Sequence, residues 1–243
     1  MRSVVTVFRI LDGVADRQPV GVSELARLLD LPKSTTQRGL NVLHDLGWIY
    51  SDESDTRRWS LTTKALSLGS KARELDLREV ALPVMHELQS RTGENVHLAV
   101  AHGAWIVLIE KVDGSQSVRT FERLGAVAPI YASATGKAIL AHSAAEDVQA
   151  VIDHGLETYT EHTITTAAGL HKELQQIRTR GYAVNRGEWR ADISAVGAVL
   201  LDSRDRPAAA ISLSVPAHRL PASRVPSLGR LVRDATQGLT VRG

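Results

Sequence analysis

The sequence predicts an α+β protein that begins with a winged helix-turn-helix. Strand patterns and helical patterns come in separate runs along the chain, which is typical of the α+β class. Three helical patterns lie within residues 1–46 and are followed by a hairpin pattern, which is the order of a winged helix. The 243 residues suffice for such a small module joined to a medium-sized domain. With 43% hydrophobic and 23% charged residues, the composition excludes a mostly disordered chain.

Three helices are predicted in order from the first residues of the chain. The first begins at Ser3, and its inward face is formed by apolar residues at helical spacing: Val4, Val7, Phe8, Leu11 and Val14. The second is predicted from Ser23 to about Leu29. The third runs from about residue 32 to 46, and its inward-facing residues are Thr36, Leu40 and Leu43.

A hairpin and a further helix follow. Residues 48–50 and 57–61 are short runs of aromatic or branched residues, and residues 51–56 between them have the composition of an exposed tip. Apolar residues then recur at 4-3-4-3 spacing over two heptads, at Leu61, Ala65, Leu68, Ala72 and Leu75. This seam either packs on its own domain or contributes to a dimer, because two heptads are too few for a coiled coil by themselves. We therefore predict a winged helix (1–61), a linker helix (62–76) and an α+β domain (77–243).

The predicted α+β domain starts with a helical stretch from Val80 to Arg91, in which Pro83 is either near the first turn or kinks the helix. Strands are predicted at 96–100, 105–112, 117–121, 196–201 and 207–215. Helices are predicted at about 135–142, 144–154, 168–180 and 224–237.

Charge is distributed unevenly in the predicted winged helix. The whole chain has 29 Lys and Arg against 27 Asp and Glu, so its formal charge of +2 does not by itself indicate a nucleic-acid partner. Residues 32–44, however, contain Lys33, Arg38 and His44 and no acid, and they form the helix that a helix-turn-helix places in the major groove. The side chains able to bond bases or phosphates here and beside the hairpin tip are Ser34, Thr35, Gln37, Arg38, Asn41, Arg57 and Arg58. The alternatives are a solvated helix face and a winged helix that docks protein.

Several kinds of site are disfavoured. The chain has no cysteine, which excludes disulfides, cysteine metal sites and thiol nucleophiles. Its histidines, among them His97, are scattered without metal-binding spacing, so we expect neither a metal nor a cofactor. The sequence contains no Gly-x-Ser-x-Gly elbow, phosphate-binding loop or dinucleotide fingerprint, which disfavours the alternative of a hydrolase or lyase with an accessory winged helix. Because neither a signal-peptide pattern nor a long apolar segment occurs, we expect a soluble, cytoplasmic protein.

Segments along nearly the whole chain resemble landmarks of the IclR family of bacterial transcriptional regulators. The segments similar to its helix-turn-helix signature are 22–26 and 31–40, and those similar to its C-terminal landmarks are 92–98, 132–141, 181–184 with Glu188, and 208–214. They occur in the family's order, which makes the resemblance more specific than any one motif. It implies an N-terminal winged helix, a linker helix and a C-terminal effector-binding domain that resembles the GAF and profilin-like sensor folds. It also implies a homodimer or dimer of dimers on double-stranded operator DNA.

The resemblance further implies where a small effector binds. In the family the effector lies against the loop that opens the helix of the Gly-Lys-Ala motif, here 132–136, and against polar residues of the last strands. The corresponding residues are Ser133, Ala134, Thr135, Gly136, Asn185, Ala195, Ser212 and Ser214. Free N–H groups at the start of a helix attract a carboxylate, which fits an acidic effector. Ser133 is alternatively only an N-cap, and the hydroxyls of Ser212 and Ser214 point either to a pocket or to solvent.

Two of these positions depart from the pattern of other members. Asn185 stands where some members carry an acidic residue, and Ala195 stands where some carry cysteine. Because Asn185 hydrogen-bonds without charge and Ala195 leaves extra room, we expect an organic acid larger than glyoxylate or pyruvate, with aromatic and amino-acid-derived acids as candidates. The aromatic residues that either line such a site or belong to the core are Trp105, Phe121, Tyr131, Tyr159 and Trp189. The predicted function is a transcriptional regulator, repressor or activator, whose operator affinity is modulated by that acid.

Overall fold

The computed structural model describes residues 2–52, 57–69, 71, 75–117 and 120–239. The chain divides into two units, Met1–Ala72 and Arg73–Gly243, below called the N-terminal and C-terminal units. The division between residues 72 and 73 falls within the segment 62–76 that was expected to link two domains. In the described parts of the chain, no helix is both long enough and apolar enough to cross a membrane.

The N-terminal unit is a winged helix, as the sequence predicts. Its first three helices are α1 (Arg2–Arg17), α2 (Val22–Leu28) and α3 (Lys33–Asp45). Its strands β1 (Val20–Gly21), β2 (Ile49–Ser51) and β3 (Arg58–Leu61) form an antiparallel sheet in the order β1-β3-β2. The helices and strands share one core, which contains Ile10, Val14, Val20, Leu25, Leu40, Leu43, Ile49 and Trp59. Most of the predicted wing tip, residues 53–56, lies outside the described residues.

The core-facing side of α1 differs in part from the prediction. Val14 is buried, but Val4 and Phe8 are each 58% exposed, so the prediction that they face inward is wrong. Ile10 is fully buried instead and packs on Gly39 of α3, where an added β-carbon would come within 2.4 Å of the Ile10 side chain. The core does not extend to the first turn of α1, and the apolar residues there are therefore left uncovered within the described N-terminal unit.

A short helix, α4 (Lys64–Gly69), stands where a helix over 62–75 was expected. Residues 62, 63 and 71 are not helical, and residues 70 and 72–74 lie outside the described part of the chain. The predicted seam also starts wrongly, because Leu61 pairs with Ile49 in the sheet and cannot begin a helix. None of the side chains of α4 is buried, and Leu66 is 74% exposed.

The described residues of the C-terminal unit form an α+β domain on a six-stranded antiparallel sheet. The strands are β4 (Asn95–His102), β5 (Trp105–Val112), β6 (Val127–Pro129), β7 (Ala183–Arg186), β8 (Ile193–Leu201) and β9 (Pro207–Pro216). The helices are α5 (Leu75–Thr92), α6 (Ala134–Leu140), α7 (Ala145–His154), α8 (Ala167–Arg180) and α9 (Val225–Gln237). The sheet order β6-β5-β4-β9-β8-β7 places the last strand in the middle, beside β4. Helix α5 begins earlier than predicted, so Pro83 lies in its interior.

The sheet has a hydrophobic core on each face. On one face, α5 and α9 contribute Met85 and Val232 to a core that includes Ile211 of β9. On the other face, α6, α7 and α8 pack together, with Ile139 and Leu174 among the buried residues. The sheet is therefore a central layer, and residues that alternate along a strand enter different cores.

The third strand of this domain is not where the sequence predicts it. Residues 117, 120 and 121 are not in a strand, and residues 118–119 lie outside the described chain. The strand that pairs with the free side of β5, opposite β4, is β6, with Trp105 opposite Pro129. At Thr120 the backbone is bound by a side chain and not by hydrogen bonds to a neighbouring strand: the Asn95 amide donates to the Thr120 carbonyl oxygen at 2.6 Å.

Candidate functional site

A cavity in the C-terminal unit collects residues from neighbouring strands of the sheet. We call it the sheet cavity; about 70 Å³ of it is open to the centre of a water-sized molecule. Its polar lining residues are His97, Glu122, Ser133, Thr135, Asn185, Ser212 and Ser214. Its apolar wall is formed by small residues such as Ala99 and Ala195, and by Ile106, Leu108, Trp189 and Ile193. The combination of an apolar wall and a few polar groups is typical of a small-molecule site.

Strand alternation explains why serines of β9 reach this cavity. Ile211 and Leu213 point into the core formed with α5 and α9. Ser212 and Ser214 therefore point to the opposite face, where both line the sheet cavity. The sequence allowed these hydroxyls to point either to a pocket or to solvent, and in the structure they point to the pocket.

Seven of the eight residues expected to contact an effector line the sheet cavity: Ser133, Ala134, Thr135, Asn185, Ala195, Ser212 and Ser214. Gly136 does not line it. A β-carbon at Gly136 would lie 2.0 Å from the carbonyl oxygen of Ile130, so this glycine allows α6 to pack directly on the preceding turn.

Ser133 caps α6. Its Oγ accepts a hydrogen bond from the Gly136 N–H at 3.1 Å. The hydroxyl proton of Ser133 is still free to donate, so the capping role and a contact with a ligand are compatible.

The orientation of the Asn185 amide is fixed by its neighbours. The backbone N–H of Glu188 donates to Asn185 Oδ1 at 2.8 Å, which identifies the other end of the amide as the NH₂ group. Asn185 is 6% exposed and lines the cavity, and no described residue accepts a hydrogen bond from its Nδ2. Asn185 therefore presents donors, not acceptors, to the cavity.

A buried ion pair lies directly behind this amide. Lys137, which is 1% exposed, donates from Nζ to both carboxylate oxygens of Glu188 at 2.6 Å and to the Val184 carbonyl oxygen at 2.7 Å. Burial raises the pKa of Glu188, although Lys137 acts in the opposite direction. Sequence reasoning gave Lys137 no role; the available signal was a lysine inside the otherwise small and apolar stretch 132–141.

Two further polar residues of the cavity were also missed. His97 is 9% exposed, and no described residue hydrogen-bonds its ring. Burial and the nearby Lys111 ammonium lower the pKa of His97 to about 4, so the ring is neutral at neutral pH. Glu122 forms an ion pair with Arg190 at 2.7 Å, and burial raises the pKa of its carboxyl group against the effect of Arg190.

Only one of the five aromatic residues considered from the sequence lines the sheet cavity, namely Trp189. Tyr131 and Tyr159 pack on each other with ring centroids 6.4 Å apart, and Phe121 is 68% exposed. In the parts of the chain that the structure describes, no group of three or more His, Cys, Asp or Glu side chains is placed to hold a metal ion.

The predicted DNA-binding residues of the third helix lie on one side of α3. Its opposite side is buried through Thr36, Leu40 and Leu43, as predicted. Ser34, Arg38 and Asn41 are exposed, whereas Thr35 and Gln37 are half-buried. The Gln37 amide donates to Asn41 Oδ1 at 2.9 Å, which holds these two amides together.

The two arginines beside the hairpin tip differ. Arg57 is exposed, and its guanidinium lies 5.7 Å from the centroid of the Trp59 ring. Arg58 is bound within the unit, because its guanidinium donates to the Pro19 carbonyl oxygen at 2.7 Å and contacts Glu24 at 3.3 Å.

Comparison with known proteins gives the same assignment over both units. The chain matches the model of the IclR helix-turn-helix domain over residues 3–53 and that of the bacterial transcriptional regulator IclR C-terminal domain over residues 70–241. It is 35% identical over 221 residues to the HTH-type transcriptional repressor AllR of Salmonella paratyphi A, covering 90% of this chain and 81% of the relative. It is 30% identical over 243 residues to the HTH-type transcriptional regulator KdgR of Escherichia coli, covering 99% and 92%.

A solved structure shares the fold at lower identity. The crystal structure of an IclR homologue from Microbacterium hydrocarbonoxydans, complexed with 4-hydroxybenzoate, matches with a TM-score of 0.81 and 24% identity, over 97% of this chain and 96% of that chain. The family matches identify a DNA-binding transcriptional regulator and not an enzyme. Because the two family models together match most of the sequence and AllR and KdgR are at least 30% identical to it, the chain belongs to the IclR family of bacterial transcriptional regulators.

Proposed function

We propose that this regulator reads its operator with the exposed side of α3 and that a small organic acid bound in the sheet cavity changes its operator affinity. The observation that supports this most directly is the convergence on one cavity of seven residues chosen from separate segments of the sequence. As a regulator of bacterial transcription it acts in the cytoplasm, where its operator is.

On the DNA side, α3 acts as the recognition helix in the major groove. Arg38 and the paired amides of Gln37 and Asn41 are the side chains able to make bidentate contacts with bases. Ser34 and Thr35, at the start of the helix, are placed to bond phosphate oxygens. Arg57 contributes charge to the backbone contact, whereas Arg58 mainly holds the sheet to α2.

On the effector side, the cavity offers donors for a carboxylate and an apolar wall for its carbon skeleton. Asn185 presents an NH₂ group, and the hydroxyls of Ser133 and Thr135 lie on the same cavity. Ala195 lines the cavity with a short side chain and so leaves room for a larger ligand. These features favour an acid larger than a two- or three-carbon keto acid, and an aromatic acid fits the wall that includes Trp189.

We further propose that the protein works as a homodimer or a dimer of dimers, with the domain division 1–61, 62–76 and 77–243. Exposed apolar residues on α1 and α4, Val4, Phe8 and Leu66, support self-association, because exposed apolar surface of this kind commonly marks an interface. Light scattering should give a mass of at least twice the monomer's 26.4 kDa. Phe8→Glu should lower that mass, and a monomeric wild type would contradict the proposal.

The effector proposal is tested by melting the full chain with a panel of organic acids and by measuring operator retardation with the same acids. A true effector raises the melting temperature with its concentration. By linkage, the effector must change the affinity for the operator by the same factor by which the operator changes the affinity for the effector. Ala195→Phe, which fills the cavity floor, should abolish both effects and leave operator binding without acid intact. If no acid shifts melting or retardation, the effector proposal is wrong.

A further inference from the structure

The His97 imidazole is a buried polar group without a partner in the described protein. It points from β4 to the face that carries the sheet cavity, and its register neighbour on β9 is Ser212. Its neighbour on β5, Lys111, is paired with Asp113 at 3.0 Å, so that ammonium is not a partner of the ring. The Ser212 hydroxyl likewise lacks a hydrogen bond to any described residue and is 4% exposed. Both residues line the sheet cavity, so a group bound there can supply the hydrogen-bond partner that the described protein does not.

The chemistry of this pair favours a hydroxyl group. A neutral imidazole offers one N–H donor and one nitrogen acceptor, and a serine hydroxyl both donates and accepts. A hydroxyl group of a ligand can likewise donate to one neighbour and accept from the other. A hydroxyl therefore suits whichever ring nitrogen faces the cavity, whereas a carboxylate only accepts and suits only the nitrogen that carries the proton.

His97 and Asn185 line different parts of the sheet cavity. Strands β4 and β7 are separated by β9 and β8, and Asn185 lies two residues along β7 from Ala183, the residue in the row of His97. Asn185 presents only donors, and the wall between the two positions includes Ile106 and Trp189.

We propose that His97 and Ser212 form a subsite for a hydroxyl group, and that the effector is a hydroxy acid whose carboxylate lies toward Asn185 and whose hydroxyl lies between His97 and Ser212. This inference rests on the proposed binding of an organic acid in the sheet cavity. It adds the second functional group of that acid, and it makes His97 a specificity-determining residue.

Calorimetric titration of the full chain with matched acids tests the subsite. The pairs are 4-hydroxybenzoate with benzoate, 4-hydroxyphenylacetate with phenylacetate, and 6-hydroxyhexanoate with hexanoate. For the wild type we expect the hydroxyl to improve the affinity of at least one pair about tenfold, the factor given by one hydrogen bond of ordinary strength. His97→Phe keeps a ring without nitrogen and should remove that advantage, and His97→Gln should retain part of it.

His102, the exposed last residue of β4, provides the matched control: His102→Phe should leave the hydroxyl advantage unchanged. If His97→Phe does not fold, the ¹⁵N chemical shifts of the His97 ring in the wild type serve as the readout. They should change when the hydroxy acid is added and not when the matched acid without the hydroxyl is added. Acids that bind without hydroxyl preference, an advantage that survives His97→Phe, or unmoved ¹⁵N shifts would overturn the subsite while leaving the effector proposal standing. Failure of every acid to bind or to change operator affinity would overturn both.

Discussion

Replacing His97 by Gln should remove an acid-dependent loss of stability from the C-terminal unit. The pKa of His97 is lowered from 6.5 to about 4 by burial, with Lys111 acting in the same direction and Asp113 against it. The unfolded chain therefore takes up this proton at a higher pH than the folded protein does. The contribution of neutral His97 is fully present above pH 6.5 and is lost as the pH falls toward 4.

The size of the effect follows from the shift. At about 1.4 kcal/mol per pKa unit, the fall from 6.5 to about 4 corresponds to about 3 kcal/mol. Because His97 is 9% exposed, solvent screening takes little from this figure. The free energy of unfolding of the wild type relative to His97→Gln should thus fall by about 3 kcal/mol between pH 7 and pH 4.

Hydrogen exchange of the slowest amides in β4 and β9, read by mass spectrometry at a series of pH values, measures this free energy for the C-terminal unit alone. The raised pKa values of Glu122 and Glu188 have the opposite effect, because they stabilise the folded protein as the pH falls. Both residues are present in both proteins, so their contributions cancel in the difference. His102→Gln, at an exposed position, should show no such difference from the wild type. A wild-type minus His97→Gln difference that is independent of pH would refute the burial of a neutral ring.

Three further predictions concern the two proposed sites. Arg38→Ala should weaken operator retardation and lower the salt slope of binding by about 0.9, whereas Arg58→Ala should mainly lower the melting temperature; equal salt slopes for Arg38→Ala and wild type would contradict the contact. Lys137→Met should cost about 3–5 kcal/mol of unfolding free energy, with part recovered by adding Glu188→Leu; no recovery in denaturant unfolding would contradict a buried-charge penalty. Asn185→Asp should weaken acid binding at least about a hundredfold by calorimetry, because it places a carboxylate against the ligand's; unchanged affinity would move the carboxylate elsewhere.

Periodicity in the sequence predicted the elements that have one buried side. The inward residues of α3 and the alternation along β9 follow directly from the helical and strand periods, and both are confirmed. The same pattern misplaced Val4 and Phe8, because periodicity identifies an apolar face but not how far the neighbouring elements cover it. A strand was assigned at Phe121 for a related reason: its composition fits a strand, but an asparagine side chain from β4 holds the backbone just before it.

The cavity was predictable only where it repeats a family pattern. Ser133, Asn185 and Ser212 were found through resemblance, whereas His97 and Lys137 have no local signal that separates a buried polar role from a surface one. His97 sits in a strand that reads as ordinary alternation, and Lys137 sits in a helix whose described residues are all buried. Their roles depend on partners far apart in sequence, which a single chain without its fold does not reveal.

The buried ion pair anchors the segment that orients the Asn185 amide. A lysine and a glutamate inside a protein lose hydration, and an ion pair of this kind is often no more stabilising than apolar residues of the same size. Here the pair holds the Glu188 segment in place, and the Glu188 N–H in turn fixes which end of the Asn185 amide faces the cavity. An aspartate at 185 would accept the same N–H and present an oxygen to the cavity, so the asparagine converts an acceptor position into a donor position. The proposed preference for an acid therefore depends on two residues that lie behind the cavity wall as much as on those that line it.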